Sequence, residues 1–328
     1  MGIQIVRFKK NNETNWGVVS NNQIKVLEDN YSTLAELLDN GEEEARRIAD
    51  DVNASTVSFE EVTLLSPITK PARIICQGAN YSTHREESGM EANRPPFNLI
   101  FSKADSSLCG AEDNILCPPN VKLLDYEIEL GLVIGREISN AVEATDENLG
   151  EFLAGLVIGN DVSARDVQLV EGQWLKGKSY RTFCPVGPYF YLLDKEEIPA
   201  IHDLELDLWV NDELRQSANT SQLLFKPAET ITELSQIMDL SKGDLILSGT
   251  TGGVAMKLTP EILKMVSNPT LSVEEKTNAL LESQSENDSY LKDGDIVRAR
   301  IKSKDGKIDL GELKNAVRRE LPVTSILG

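Results

Sequence analysis

Short hydrophobic runs separated by polar turns make up the first part of the chain. The segments IQIVRFKK, NWGVVS and QIKVLE alternate apolar and polar positions around the turn sequences NNETN and NNQ, which predicts three short strands. The stretch STLAELLDNGEEEARRIADDV then has apolar residues at helical spacing, with a stop signal at Gly41. These patterns predict a small N-terminal α/β domain over residues 1–68.

A different pattern begins near residue 70. Apolar runs of strand length recur, separated by Gly, Pro, Asn and Asp, and segments with helical spacing become rarer. The runs include RIICQGAN, NLIFSK, LLDYEIELGLVIG, FLAGLVIGNDVS, PVGPYFYLL, LELDLWVND, DLILSGT and DIVRARI. Residues 69–328 are therefore predicted to form a mainly β domain, a roll or barrel, and the whole chain to be α+β.

One polar stretch, about residues 257–290, interrupts the strand pattern. It contains TPEILKMV and VEEKTNALLESQ, whose apolar positions have helical spacing. We predict an inserted helical hairpin on the surface of the second domain.

The charge of the chain argues against some classes of partner. Lys and Arg number 33 and Asp and Glu 53, a net charge of −20 that repels nucleic acid and anionic membranes. No apolar run approaches the roughly 18 residues of a membrane span. The N-terminus, MGIQIVRFKK, lacks the apolar core of a secretion signal. We expect a cytoplasmic protein with no nucleic-acid or membrane partner.

The cysteines favour a reducing environment, and the small number of histidines disfavours a zinc site. None of the four cysteines forms a C-x-x-C pair, and each lies among apolar or small residues, which favours reduced, buried thiols. A zinc site is disfavoured because the chain has only two histidines, His84 and His202.

A pair of glutamates in LDYEIEL suggests a metal site. Glu127 and Glu129 lie two residues apart, so on a strand both side chains project from one face. Two carboxylates facing an interior are costly unless a cation lies between them, and a hard divalent cation with oxygen ligands is a suitable partner. A solvent-facing strand edge is the alternative, and the spacing alone does not exclude it.

An aspartate with a neighbouring arginine and glutamine occurs in GLVIGNDVSARDVQ. Arg165 and Gln168 follow Asp161 by four and seven residues, which places all three on one helix face if the helix starts near Asp161. The carboxylate suits a metal, and the planar guanidinium suits a substrate carboxylate. An N-cap aspartate and a surface arginine are the alternative.

A histidine with an acidic neighbour at helical spacing, in polar surroundings, occurs in NYSTHREESG. Thr83 and Glu86 have capping-box spacing, which predicts that a helix starts here. His84 and Glu87 then share one face, and a carboxylate that orients an imidazole makes a plausible general base. A lone histidine is more often structural, but the polar, glycine-bounded surroundings favour a mobile segment.

Two further segments offer groups for a negatively charged substrate. LKGKSYRTFCPVGP contains Lys176 and Lys178, either of which can stabilise a developing enolate or oxyanion. DLILSGTTGGV ends a strand in a glycine-rich turn where backbone N–H groups, Thr250 and Thr251 can hold an anion. A solvated lysine and a plain tight turn are the alternatives.

The order of these segments resembles the fumarylacetoacetate hydrolase family. The resemblance runs from about Pro71 to about Val323, interrupted by the insertion. It rests on RIICQGANYSTHREESG, FSKADSSLCG, DYEIELGLVIG, NDVSARDVQ, GKSYRTFCPVGP, LSGTTGGV and LKDGDIV in that order. It implies a mixed β-sandwich roll, usually a homodimer, with the small N-terminal domain that many bacterial members carry.

The resemblance also implies a metal centre and a catalytic dyad. Glu127, Glu129 and Asp161 would bind Mg²⁺ or Mn²⁺. His84 and Glu87 would form a dyad on a lid that closes over the substrate.

Further implied roles concern the substrate. Arg165, Gln168 and Thr250 would contact it. The lysine of the family's G-K-S motif corresponds to Lys178 rather than Lys176 and would be catalytic.

The implied activity is metal-dependent hydrolysis of a carbon–carbon bond in a small 2-oxo or 1,3-diketo acid, of fumarylacetoacetate or acylpyruvate type. The alternative is a decarboxylase or isomerase of oxaloacetate or 2-hydroxyhepta-2,4-diene-1,7-dioate type. GANYST lacks the extra acidic ligand that animal fumarylacetoacetate hydrolases have before the histidine, so the site is similar to those of acylpyruvate hydrolases and oxaloacetate decarboxylases. The long insertion and the missing proline in SGTTGGV leave the substrate open.

Overall fold

The computed structural model describes residues 1–321, in which strands outnumber helices. The strands are β1 Ile3–Lys10, β2 Glu13–Ser20, β3 Gln23–Val26, β4 Thr56–Val57, β5 Thr63–Leu65, β6 Ile74–Gly78, β7 Leu99–Lys103, β8 Leu108–Cys109, β9 Ile115–Cys117, β10 Leu124–Asp125, β11 Ile128–Ile134, β12 Leu153–Asn160, β13 Ser163–Ala164, β14 Cys184–Leu192, β15 Leu204–Val210, β16 Glu213–Asn219, β17 Leu245–Leu247, β18 Ile296–Ser303 and β19 Asp309–Arg319. The helices are α1 Leu34–Asn40, α2 Glu42–Asp50, α3 Ser82–Glu87, α4 Arg165–Glu171, α5 Trp174–Lys178, α6 Pro227–Ile237, α7 Pro260–Val266 and α8 Val273–Ser283.

A twelve-stranded sheet runs through the N-terminal unit and the centre of the molecule. Its order is β4-β3-β2-β1-β14-β12-β11-β17-β6-β7, with β5 beside β1 and β8 beside β14. Strand β1 pairs antiparallel with β14, so that Ile3 lies opposite Leu192. The backbone hydrogen bonds are therefore continuous across the predicted boundary at residue 68, which stays a prediction.

A second sheet, of order β16-β15-β18-β19-β9, lies against the first. Residues of β15 alternate between buried and half-buried, as expected for a strand with one face on a core. Its inward residues Leu206 and Leu208 join Leu130 and Leu132 of β11 in the main hydrophobic cluster. The predicted α+β, mainly β fold class is confirmed.

The N-terminal helices pack on the first sheet. The predicted stop at Gly41 falls where α1 ends and α2 begins, and the Gly41 N–H donates to the carbonyl of Leu37. Leu34, Leu37 and Ile48 are buried with Trp16 in a second hydrophobic cluster. This burial explains why the helical spacing of apolar residues was visible in the sequence.

Strand β11 holds the centre of the large sheet, between β12 and β17, and all seven of its residues are buried. Its glycine permits close strand packing, because a Cβ on Gly131 would lie 2.5 Å from Cγ2 of Val157. The C-terminal ends of β12, β17 and β6 converge near the start of β11, and the loops that follow them carry the polar residues described below.

Residues 257–290 contain α7 and α8, which pack on each other, while α8 also packs on α4. The side chain of Gln284, just after α8, holds the end of this segment to its start, since its Nε2 donates to the carbonyl of Lys257 at 2.8 Å. Within residues 1–321, the helices lack the combination of length and apolar character needed to cross a bilayer.

Candidate functional site

Three carboxylates converge at the start of β11. Glu127 immediately precedes the strand, Glu129 lies within it, and Asp161 follows the antiparallel partner β12. The Asp161 N–H donates to the Glu127 carbonyl at 2.8 Å, which fixes the two segments side by side. All three side chains are buried, and one oxygen from each lies within 4.8 Å of the others. The pairing of β11 and β12 therefore creates a compact all-oxygen donor set.

Three buried cations surround these carboxylates. Lys178 Nζ donates to Glu127 Oε2 at 2.7 Å and to Asp161 Oδ2 at 2.6 Å. The ammonium of Lys103, on β7, also binds Asp161. Arg165 Nη2 donates to Glu127 Oε1 at 2.5 Å. These ion pairs hold the carboxylates of Glu127 and Asp161 in place.

A fourth carboxylate completes the network. Asp125 accepts a hydrogen bond from Arg165 Nε at 2.8 Å and from the backbone N–H groups of Ala255 and Met256 at 2.8 and 3.0 Å. Four buried carboxylates thus face three buried cations, which leaves one excess negative charge.

Glu129 carries that excess. Among residues 1–321 it has no ion-pair partner, and its Oε2 accepts a hydrogen bond from the Gly249 N–H at 2.7 Å. Burial and the neighbouring carboxylates of Asp161 and Glu127 raise the pKa of Glu129 well above its ordinary value. A cation beside Glu129 would relieve this repulsion.

The pKa of Glu127 moves in the opposite direction. Burial alone would raise it, but the charges of Arg165 and Lys178 outweigh burial and lower the pKa of Glu127. The charges of Asp161 and Glu127 raise the pKa of Lys178 against the effect of its own burial. Glu127 is therefore a carboxylate and Lys178 an ammonium at neutral pH.

The donor set fits a hard divalent cation. It supplies oxygens from Glu127, Glu129 and Asp161, it is buried, and it has one negative charge more than its cations balance. Mg²⁺ and Mn²⁺ prefer such oxygen ligands. The three residues predicted as metal ligands are thus brought together by the fold.

The structure corrects the predicted helix around Asp161. Helix α4 begins at Arg165, and Asp161 lies in the loop between β12 and the short strand β13. The pairing of β11 with β12 sets the position of Asp161, so this residue is not part of a helical turn. Arg165 and Gln168 do share a helix face, and Arg165 Nη1 donates to Gln168 Oε1 at 2.9 Å. Carboxylates of the protein hold the guanidinium of Arg165, and Arg165 lines the cavity described below.

His84 lies on α3 and is buried against the same cavity. Its Nδ1 has no hydrogen-bond partner within the described part of the chain. Burial lowers the pKa of His84 to about 4, and the charges of Arg165 and Lys178 add to this effect against that of Glu127. The imidazole is therefore neutral at pH 7 and able to accept a proton.

The predicted dyad of His84 and Glu87 is not formed. The Glu87 carboxylate accepts a hydrogen bond from the Gly253 N–H at 2.8 Å and pairs with the ammonium of Lys257. The physical reason is competition, because these two donors from the turn and the insertion satisfy the carboxylate away from the imidazole. Glu87 also lies outside the cavity lining.

The predicted capping box is likewise absent. The residue before the first turn of α3 is Tyr81, and Thr83 Oγ1 instead accepts a hydrogen bond from the Gly252 N–H at 3.1 Å. Together with Glu87, Thr83 fastens α3 to the turn that follows β17.

The two candidate lysines differ clearly. Lys178 is buried in the carboxylate network, whereas Lys176 is solvent-exposed and pairs with Glu171 on the surface. The structure thus places Lys178, and not Lys176, beside the cavity.

The SGT turn positions Glu129. Gly249 has a φ of +93°, and a Cβ there would lie 2.7 Å from Cβ of Asn80, so glycine is required. Its N–H binds Glu129, so the anion that this turn holds is a carboxylate of the protein itself. Thr250 is buried, donates to the Ile128 carbonyl at 2.9 Å and accepts from Gln216 Nε2 at 2.8 Å.

Three residues of the site were missed in the sequence: Lys103, Asp125 and Gln216. For Asp125 a signal existed, since D-Y-E-I-E continues the alternation of acids by one more step. Lysine and glutamine are ordinarily exposed, so nothing local in FSKADSS or ELRQSAN marked Lys103 or Gln216 as buried.

A cavity opens beside the carboxylates. Of the predicted site residues, all but Glu87 and Asp161 line it: His84, Glu127, Glu129, Arg165, Gln168, Lys178 and Thr250. The remainder of its wall is largely apolar. The mainly β fold and its buried oxygen cluster thus define a protein with a small-molecule cavity beside a site that can hold a divalent metal.

The chain belongs to the fumarylacetoacetate hydrolase family. The family model "Fumarylacetoacetate (FAA) hydrolase C-terminal" matches residues 73–318. The oxaloacetate tautomerase Fahd2a, mitochondrial, of Rattus norvegicus is 39% identical over 233 residues, which cover 70% of this chain and 72% of that protein.

Solved structures agree with this membership. The fumarylacetoacetate hydrolase of Exiguobacterium antarcticum is 28% identical with a TM-score of 0.73, over 97% of this chain and all of that one. A probable 2-hydroxyhepta-2,4-diene-1,7-dioate isomerase from Mycobacterium abscessus is 26% identical with a TM-score of 0.72, over 98% of this chain and all of that one. These three proteins are named as a tautomerase, a hydrolase and a probable isomerase.

Proposed function

We propose that this protein is a metal-dependent enzyme that interconverts the keto and enol forms of a small 2-oxo acid. The observation that carries the proposal is the convergence, around one cavity, of the three carboxylates, the neutral imidazole of His84 and the ammonium of Lys178. The name of the rat relative, an oxaloacetate tautomerase, supports this reaction class.

Each residue has a defined part in this reaction. Glu127, Glu129 and Asp161 would hold Mg²⁺ or Mn²⁺, which when bound supplies Lewis-acid polarisation of the 2-oxo group. His84 accepts a proton from C3 of the substrate. The C3–H electron pair becomes the C2–C3 double bond, and the carbonyl oxygen takes the negative charge.

The remaining steps restore the enzyme. The ammonium of Lys178 stabilises the enolate oxygen electrostatically in a site shielded from water. The imidazolium of His84 then returns its proton to that oxygen, which yields the neutral enol. Because this sequence needs one base and no attacking water, it does not require a carboxylate behind the imidazole.

Hydrolysis of a carbon–carbon bond is the second candidate. It is favoured by the likeness to the Exiguobacterium hydrolase. Hydrolysis needs a water-activating base in addition to enolate stabilisation, and Glu87 is not placed to orient His84 for that purpose.

The test is an ultraviolet assay of enol decay for oxaloacetate and phenylpyruvate, with Mg²⁺, with Mn²⁺ and with EDTA. We expect the wild type with metal to accelerate enol decay beyond the rate with the metal ion alone. We expect Glu129→Gln to lose this acceleration. Product analysis on acetylpyruvate distinguishes the second candidate. Cleavage of acetylpyruvate without any tautomerase activity would refute the proposal in favour of hydrolysis.

A further inference from the structure

Much of the cavity lining is apolar, and we call its larger apolar side chains the apolar wall. Half-buried or buried leucines and aromatic residues form it, and Phe101 and Trp174 pack edge to face with ring centroids 5.0 Å apart. Six side chains define this wall: Leu99, Phe101, Leu169, Trp174, Leu258 and Leu263. Exposed apolar surface inside a cavity favours an apolar ligand group, because contact removes both surfaces from water.

The cations in the cavity lining are already engaged. Among the described residues that line it, the charged bases are Arg165 and Lys178, since burial keeps His84 neutral. Arg165 binds Asp125, Glu127 and Gln168. Lys178 binds two carboxylates, and the face of Phe101 lies 5.2 Å from its Nζ. Both cations are therefore already paired within the buried carboxylate network.

The charge of the site points to a substrate with one carboxylate. Four buried carboxylates and three buried cations leave one negative charge, and a divalent cation reverses this to one positive charge. One substrate carboxylate balances it. A second carboxylate against the apolar wall would be buried without a partner, which is strongly unfavourable.

The insertion supplies part of the wall. Leu263 lies on α7, and Leu258 lies between the turn and α7. The Leu258 N–H donates to the Glu87 carbonyl at 2.9 Å, so this stretch is attached to the helix that carries His84. The insertion is thus placed to select substrates.

We propose that the apolar wall is a subsite for the distal group of the substrate, so that the enzyme selects 2-oxo acids with one carboxylate and a hydrophobic substituent. The inference rests on the proposed function and narrows its substrate class. Under it, oxaloacetate is a poor substrate relative to a 2-oxo acid of similar size with an alkyl or aryl group.

The test compares two oxamates, which mimic the enolate of a 2-oxo acid and cannot react. N-isobutyloxamate and oxalylglycine have nearly the same shape, but the second carries a distal carboxylate. Their dissociation constants for the full-length protein with Mg²⁺ would be measured by calorimetry, and phenylpyruvate and oxaloacetate compared by kcat/KM. We expect at least a roughly 10-fold preference for the apolar member of each pair, the usual effect of an apolar pocket.

A matched pair of variants tests the role of the insertion. Leu263→Lys places a cation in the wall and should shift the binding ratio toward oxalylglycine by roughly 10-fold or more. Met265→Lys makes the same change on the same helix at a residue that is 40% exposed and outside the cavity lining, and should leave the ratio unchanged.

Three outcomes would each refute a different part of this reasoning. Equal or tighter binding of oxalylglycine to the wild type would refute it while leaving tautomerase activity intact. An equal response of both lysine variants would refute the part assigned to the insertion. Failure of both oxamates to bind in Mg²⁺ and in Mn²⁺ would refute the 2-oxo acid site itself, and the proposed function with it.

Discussion

Glu129→Gln and Glu127→Gln should have opposite effects on the stability of the metal-free protein. Glu129 is a buried carboxylate without an ion-pair partner in residues 1–321, next to two other carboxylates. A glutamine there can still accept the Gly249 N–H and can donate its amide to those carboxylates. Glu127, in contrast, holds both Arg165 and Lys178, and its loss leaves buried cations less well paired.

The magnitudes follow from the charges. Glu129→Gln removes a buried carboxylate without an ion-pair partner. It should therefore raise the free energy of unfolding in EDTA by on the order of 1–3 kcal/mol, the usual cost of a buried polar group without a partner. Glu127→Gln should lower it by about 3–5 kcal/mol, as when one partner of a buried ion pair is removed.

Added metal should reverse the order of wild type and Glu129→Gln. At a free Mg²⁺ concentration about 1,000 times its dissociation constant, binding stabilises the wild type by about 4.1 kcal/mol, which exceeds the gain expected from Glu129→Gln. Neither glutamine variant should show this increment, because each lacks one of the three proposed ligands.

The assay is chemical denaturation at pH 7 in EDTA and in a series of Mg²⁺ concentrations. A pH series adds an independent sign. Because the folded state raises the pKa of Glu129 above its ordinary 4.5, wild-type stability in EDTA should be greatest below about pH 4.5 for this group and fall as the pH rises through the folded pKa. Glu129→Gln should lack that fall. If both variants lower stability in EDTA by similar amounts, the charge accounting of the site is wrong.

Five further variants separate the roles of the remaining residues. His84→Gln should abolish tautomerisation while the Mg²⁺-dependent stabilisation persists, and the acidic limb of wild-type kcat/KM should lie near pH 4 rather than 6.5. The depressed pKa also predicts that His84 costs the wild type stability as the pH falls from about 6.5 to 4, a loss that denaturation of His84→Gln should not show. Glu87→Gln and Lys257→Met should raise KM alike with little change in kcat, whereas a fall in kcat of about 100-fold or more for Glu87→Gln alone would support a dyad with the imidazole. Lys178→Met should lower kcat by about 100-fold or more and Lys176→Met should leave it unchanged, as steady-state kinetics on phenylpyruvate would show.

The metal ligands could be predicted from the sequence because part of their geometry is local. The two-residue period of a strand places Glu127 and Glu129 on one face whatever the rest of the chain does. Asp161 is different, since it reaches them through the pairing of β11 with β12, and only the resemblance to a family supplied that contact. The helix assumed from Asp161 to Gln168 failed because a spacing of four and seven residues says nothing about where a helix begins.

Long-range competition explains the other differences. Helical spacing predicted that Glu87 lies beside His84. Donors from Gly253 and Lys257, far away in the sequence, bind the Glu87 carboxylate instead. Lys103 can be buried because its ammonium pairs with the carboxylate of Asp161. No local sequence pattern encodes a partner that lies so far away in the sequence. The N-terminal strands were likewise visible as local patterns, whereas the pairing of β1 with β14 was not.

The contacts of Glu87 give the insertion a part in catalysis even though it carries no reactive group. Through Glu87, the helix that bears His84 is fastened to the turn at Gly253 and to Lys257 at the start of the insertion. The same turn holds Glu129 through the Gly249 N–H. The base, one metal ligand and the apolar wall are therefore positioned by one connected set of hydrogen bonds. A change in the insertion that moves Lys257 should consequently alter substrate selection through the apolar wall and substrate affinity through α3. The two effects are separable, because Glu87→Gln should change only the affinity.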